Sequence, residues 1–385
     1  MDKGKLRPLY AAGFVTAFGA HSIAASLGAY THGEHASLLT LGLLLAVYDG
    51  AEVVLKPVFG SLADRIGPRP VLLGGLLAFA LASAAFVIAG NPAAVGLARF
   101  GQGAAAAAFS PAAGALVARL SPQKRQGRAF GGYGAWKSVG YTLGPLLGGV
   151  LITVGGFSLL FGTLAVLAFA VAAWAALVVP APEALPRARQ TVVDLARRIA
   201  EPGFLRPTAV LAGTTAALAV GTGFLPVAGS ASGLGTLATG AAVSVLALCS
   251  ALVQPWAGRL RDAGRVSDGP GMAGGLLLAA AGLGLAALVP GLAGILVAAV
   301  AIGAGVGLAT PLGFAHLAES APTERLGQTM GAAEVGRELG DAGGPLLVGA
   351  IASAAVLGAG FGGLAAVLVA VGMAVVRAKT PLPDR

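Results

Sequence analysis

Two clusters of charged side chains stand in stretches otherwise rich in Leu, Val, Ala and Gly. Asp49, Glu52 and Lys56 are spaced i, i+3 and i+7, and Glu334, Arg337, Glu338 and Asp341 fall at offsets 0, 3, 4 and 7. On an α-helix each set lies along one face. Arg99 and Lys137 are isolated bases, and His21 an isolated imidazole, in comparable apolar runs. A carboxylate in such surroundings can take up and release a proton, because desolvation favours its neutral form and a neighbouring cation its ionised form. Glu52 and Lys56 can pair, and Arg337 can reach Glu334 or Asp341 along its own helix. Asp341 and Glu52 are the first candidates for a proton carrier, followed by Glu338, Glu334 and Asp49. Arg99, Lys137, Arg337 and His21 complete the set that can meet a proton or a substrate. The same charges also suit fixed ion pairs that rigidify helices, although buried pairs seldom add much net stability. His21 can titrate near neutral pH or serve as a hydrogen-bonded structural residue.

The elements that must position these groups follow from composition. The 385 residues are 56% hydrophobic and only 11% charged, with a mean hydropathy of +0.84, too apolar for a soluble domain. Apolar stretches of about 20 residues, the length that crosses a bilayer as a helix, repeat along the chain. Every backbone amide must be satisfied within such a span, so helices or a closed barrel are required, and the alternation of barrel strands is absent. Twelve spans are expected near 9–31, 38–62, 70–90, 93–118, 129–153, 157–179, 207–229, 233–257, 270–289, 291–317, 328–353 and 356–376. The 61 glycines suit close helix contact in lipid. The basic start, Met1 to Pro8, precedes a run long enough to span, so the first span is expected to be retained.

Six spans, a polar linker and six spans define two bundles, 1–179 and 207–385, joined by 180–206, where Thr191 to Ala200 suits a short amphipathic surface helix. Lys and Arg fall on alternate connections, which places both termini and the linker in the cytoplasm and accounts for the net charge of +9; nucleic-acid binding is not needed to explain it. A shift of 200 residues matches Pro111 with Pro311, Arg125 with Arg325, Gly140 with Gly340, and Gly144-Pro145 with Gly344-Pro345. A shift of 198 aligns Pro57, Gly60 and Asp64 with Pro255, Gly258 and Asp262. Similar halves in one membrane protein point to transport around a midplane site.

Three motifs carry a family resemblance. Gly60-Ser-Leu-Ala-Asp64-Arg65-Ile-Gly67-Pro-Arg69 has glycines for a tight reversal and a carboxylate able to accept from helix N-terminal amides. It resembles the loop between helices 2 and 3 of the major facilitator superfamily, apart from Pro68, and has a degenerate copy at Gly258 to Arg265. By that resemblance Gly60, Asp64, Arg65, Gly67 and Arg69 form a cytoplasmic conformational latch. Arg99-Phe-Gly-Gln102-Gly103 resembles a motif of the superfamily's drug:proton antiporters; Arg99 should face a polar cavity or an acid, or snorkel to the nearer interface. Gly140, Gly144, Pro145, Gly148 and Gly149 resemble its exporter motif, in which glycines permit close contact and the proline bends the helix.

The resemblance implies an all-α integral membrane fold of twelve transmembrane helices in two pseudo-symmetric six-helix bundles. It further implies a monomer in the bacterial cytoplasmic membrane that exports small organic molecules or drugs by proton-coupled antiport. The alternative is a proton-coupled symporter or facilitator importing a small, possibly anionic, metabolite, for which Arg99, Lys137 and Arg337 would suit. No enzyme constellation, cofactor motif or metal cluster is apparent. Cys249 is the sole cysteine, which excludes an internal disulfide. His32, Glu34 and His35 read as a solvated loop, and His316 as a structural histidine.

Overall fold

The computed structural model describes residues 3–33, 38–89, 91–181 and 201–377. Helices α1 to α4 span Lys3–Gly33, Leu38–Ile66, Pro68–Ala85 and Pro92–Leu120. The segment Gln126–Val178 is broken at Gly155 and Gly156, which leave helical geometry, giving α5 (126–154) and α6 (157–178). Gly156 has φ +68°, a conformation that costs glycine alone little. Helices α7 to α12 are Pro202–Ala231, Thr236–Asp262, Asp268–Leu288, Leu292–Ser320, Leu326–Ala354 and Leu357–Val376. Among the described residues these twelve helices stand where the apolar runs require them, and no strand occurs. Eight described helical segments are long and apolar enough to cross a membrane, Gln123–Val178 counting as one; α11, with Glu334, Arg337, Glu338 and Asp341, is not one of them. Glu34, His35 and the expected surface helix of the linker lie outside the described residues.

Local chemistry sets several boundaries. Asn91 caps α4, its side-chain oxygen accepting from Ala94 N at 2.9 Å, and Pro92 occupies the first turn, where no amide hydrogen is needed. Between α2 and α3 the chain reverses at Gly67, φ +97°. Arg69, in the first turn of α3, donates to the Ala176 carbonyl at 2.7 Å and so satisfies an orphan acceptor at the carboxyl end of α6.

The chain divides into two compact units, Met1–Arg189 with Ala321–Val335, and Gln190–Ser320 with Gly336–Arg385, the boundary falling inside α11. The core of the first includes Phe18, Phe86, Leu160, Phe161 and Leu164, with Phe86 stacked on Phe161 at 4.1 Å. That of the second is built from residues such as Val220, Leu246, Leu276, Ile302 and Leu364.

Lipid tails are as apolar as leucine, so helix association rests on close packing, and the internal repeat preserves the tightest contacts. A Cβ on Gly75 (α3) would meet Phe109 N at 2.9 Å and Ala105 O at 3.1 Å, and one on Gly275 (α9) would meet Ala309 N at 2.9 Å and Gly305 O at 2.6 Å. Gly103 (α4) abuts the Tyr48 carbonyl of α2, and Gly303 (α10) the Leu246 carbonyl of α8. Gly140 (α5) lies against the Phe14 carbonyl of α1, and Gly340 (α11) against the Ala212 carbonyl of α7. The repeat seen in the residues is thus a repeat of helix contacts within each unit.

Candidate functional site

The first unit holds a continuous line of buried polar groups drawn from α2, α3, α4, α5 and the opening turns of α11. The Arg99 guanidinium carbon lies 4.4 Å from the centroid of the Tyr48 ring, in cation–π geometry. Arg99 Nη1 also donates to Gln102 Oε1 at 3.5 Å, and Gln102 Nε2 to Ser83 Oγ at 2.8 Å. The Tyr48 hydroxyl donates to Glu52 Oε1 at 3.3 Å, and Lys56 Nζ to Glu52 Oε2 at 2.7 Å. Lys56 lies 3.9 Å from Glu334, which accepts from Lys137 Nζ through both oxygens at 3.1 Å. Glu52, Lys56, Arg99, Lys137 and Glu334 are all 5% exposed or less. Arg99 is therefore buried against an aromatic face and does not snorkel.

The line alternates in sign, so each ion is offset by an opposite neighbour, as the low-dielectric interior demands. The helical spacing made the Glu52–Lys56 pair legible in advance. The Glu334–Lys137 pair was not, because its members are 197 residues apart, and neither was Tyr48, an aromatic residue with nothing unusual in its spacing. Asp49 lies on α2 beside this line but is exposed, as is Asp341 on α11. In the second unit Arg337 is buried, its guanidinium 5.7 Å from the Phe314 ring centroid and its carbonyl accepting from Thr215 Oγ1 at 2.8 Å. Glu338 is half-buried there.

The repeat supplies an internal comparison. Residues 198 positions after Tyr48, Glu52 and Lys56 are Leu246, Ser250 and Gln254, and the residue 200 after Arg99 is Ala299. Gln254 Nε2 donates to Ser250 Oγ at 3.2 Å. The same i, i+4 bond is made in both units, ionic in the first and neutral in the second, on helices held by equivalent glycines.

The glycines of α5 seat it on α1. A Cβ on Gly140 would meet the Phe14 carbonyl oxygen at 2.7 Å, on Gly144 the Phe18 oxygen at 3.1 Å, and on Gly148 the Ser22 Cβ at 2.7 Å. Gly149 faces open space, and Pro145 is exposed. His21 lies against Gly144, its ring edge-on to Tyr141 at 4.4 Å. His21 Nδ1 is 3.1 Å from the Ala17 carbonyl, which can only accept, so the Nδ1 proton makes this bond.

The residues of the Gly60 to Arg69 motif divide in two. Asp64 accepts from Gly327 N and Gln328 N, each at 2.7 Å, so that its carboxylate caps the amino end of α11. Gly60 lets α11 approach: a Cβ there would meet the Gly327 carbonyl oxygen at 2.5 Å. Arg119, which the motif does not contain, lies 3.8 Å from Asp64 and donates to the Thr323 carbonyl at 3.1 Å. Gly67 makes the reversal, Arg65 is exposed, and Arg69 serves α6. In the second unit Arg261 makes bidentate bonds to both Asp268, at 2.6 and 3.0 Å, and Glu319, at 2.8 Å twice. His316 Nδ1 stands 3.0 Å from Asp268 Oδ2. Glu319 is the repeat position of Arg119, so the basic member of this junction moves from α4 in one unit to α8 in the other.

Residues 9–345 and 209–385 match the family model described as Major Facilitator Superfamily. The chain belongs to the Major Facilitator Superfamily. Over 114 residues it is 31% identical to the Quinolone resistance protein NorA of Staphylococcus aureus, covering 30% of this chain and 29% of that protein. Over 120 residues it is 32% identical to the Multidrug resistance protein MdtG of Erwinia billingiae, covering 31% and 29%. The chain thus spans less than a third of the length of these curated relatives. Two solved structures resemble it over 97% of its length, each with a TM-score of 0.81: the human organic anion transporter MFSD10, 17% identical and covered to 99%, and the Escherichia coli fucose:proton symporter FucP, 14% identical and covered to 98%. At those identities they bear on the fold alone. As a superfamily member the chain is a multi-pass membrane protein, and the twelve-helix expectation holds.

Proposed function

We propose that this superfamily member is a proton-coupled antiporter that exports small organic molecules by alternating access, with residues 1–179 and 207–385 as its halves. It works in a bacterial cytoplasmic membrane with both termini and the linker in the cytoplasm, the orientation that positive-inside charge favours. The observation that carries the reading is the contrast between Glu52–Lys56 and Ser250–Gln254. The fold makes the same contact from neutral side chains, so the ions of the first unit are not a packing requirement, and intramembrane ions without a packing need are functional candidates. The names of the relatives, quinolone and multidrug resistance proteins, support a drug-like cargo, and the Gly140 to Gly149 motif supports export.

In this mechanism Glu52 and Glu334 release their lysines on protonation and recapture them on deprotonation, while Asp341, Glu338 and Asp49 offer further carboxylates to a proton or substrate. Asp64, holding the amino end of α11, acts as a latch that must open and close in each cycle. Import of a small anion is the second reading, favoured by three buried bases, Lys56, Arg99 and Lys137, against two buried acids, Glu52 and Glu334, among the described residues of the first unit. Proteoliposomes with an imposed pH gradient separate the two, using ethidium, norfloxacin and a panel of small carboxylates. An antiporter moves ethidium or norfloxacin against the proton under the gradient, and this movement is lost in Glu52→Gln or Asp341→Asn with exchange retained. Full gradient-driven transport in both variants would eliminate these carriers, and carboxylate uptake with the proton would favour import.

A further inference from the structure

Tyr48 occupies the junction between the two ends of the buried line. Its ring face carries the Arg99 guanidinium at 4.4 Å and its hydroxyl donates to Glu52 at 3.3 Å, so one side chain touches the cation of α4 and the carboxylate of α2. The residue is anchored to α4 through its backbone, because the Tyr48 carbonyl packs on Gly103 and its Cα stands 3.0 Å from where a Cβ on Gly103 would be. Only 2% of Tyr48 is exposed. At the repeat position Leu246 keeps the backbone contact with Gly303, yet Ala299 replaces Arg99 and Ser250 replaces Glu52. Phenol, guanidinium and carboxylate occur together at these positions of the first unit and are absent together from the repeat positions of the second, which packing alone does not explain.

We propose that Tyr48 is a positioning residue that ties the seat of Arg99 to the ionisation of Glu52; the inference rests on proton coupling at Glu52. A phenol donates strongly to an ionised carboxylate and weakly to a neutral carboxyl group. Protonation of Glu52 therefore loosens the hydroxyl and with it the ring on which Arg99 rests. The charges facing this junction are Asp49, Glu52 and Lys56 on its own helix, Arg99 from α4, Glu334 from the start of α11, and Lys137 from α5 acting through Glu334.

The test is an infrared titration of the purified full chain, in which the protonated-carboxyl band of Glu52 is identified by its loss in Glu52→Gln. Tyr48→Phe keeps the ring beneath Arg99 and removes the donor to the ionised form, so Glu52 holds its proton to higher pH and the band midpoint rises by about one unit. Replacing Tyr48 with 3-fluorotyrosine keeps ring and hydroxyl while strengthening the donor, and moves the midpoint the opposite way. Melting temperatures stay near that of the unmodified protein in both. The pH midpoint of gradient-driven ethidium transport in proteoliposomes follows the band. Equal band midpoints in all three proteins overturn the role of Tyr48, as does a Glu52 band that never titrates. Full gradient-driven transport in Glu52→Gln overturns proton coupling at Glu52 instead, whatever the Tyr48 variants show in the infrared.

Discussion

Lys137 donates to both carboxylate oxygens of Glu334, each at 3.1 Å, from a helix 197 residues away in the chain. The pair also includes Lys56 at 3.9 Å, so Glu334 is the acid on which two buried bases converge.

Removing one member strands the other. Glu334→Gln is expected to destabilise the protein by about 3 kcal/mol, because a buried charge is left without its counter-ion, and Glu334→Gln with Lys137→Gln should recover most of that loss. Thermal unfolding in detergent checks it. A double variant no more stable than the single one would mean that Lys137 does not depend on Glu334.

Asp64 satisfies two amides of α11 at once. Asp64→Asn keeps one acceptor oxygen but loses the negative charge at a helix amino end, a cost of about 1 kcal/mol, so the fold should persist while the transport rate falls several-fold. Rates measured at matched expression decide the point; an unchanged rate removes the latch.

Among the motif glycines, contact predicts which substitutions matter. Gly140→Ala or Gly148→Ala drives a methyl group to within 2.7 Å of α1 and should cost about 1–3 kcal/mol by overpacking. Gly149→Ala, with nothing within 4 Å, should be neutral or slightly stabilising, since alanine favours the helix. Melting temperatures that fail to separate Gly149 from the other two would show that α5 does not rest on α1 as described.

Orientation can be read by labelling. In a Cys249→Ser background, a cysteine placed at Ser121 or Gln190 should stay unmodified by an impermeant thiol reagent applied outside intact cells, and react once the membrane is permeabilised. Reaction from outside reverses the topology.

Much of the fold was legible because bilayer thickness and the absence of water leave a chain with these apolar runs few choices, and Gly67 and the Gly155-Gly156 break fall where runs end. Glu52–Lys56 was legible because both residues share one helix face. Glu334–Lys137, Arg119–Asp64 and Tyr48 beneath Arg99 were not, since each depends on which helices become neighbours, and no spacing within one helix records that. Of the two first choices, Glu52 is buried and Asp341 is exposed, whereas Glu334, ranked lower, is the acid of α11 that packing buries. Arg69, grouped by motif with Asp64, instead caps α6.

The neutral bond between Ser250 and Gln254 gives this protein its own control experiment. An engineer who wishes to separate transport machinery from scaffold needs no artificial design: grafting the second half's pair onto the first, as Glu52→Ser with Lys56→Gln, installs a combination that an equivalent helix of the same chain already accommodates. Such a chimera is a template for a folded α2 with a neutral pair at positions 52 and 56, where ionisable groups can be reinstated one at a time.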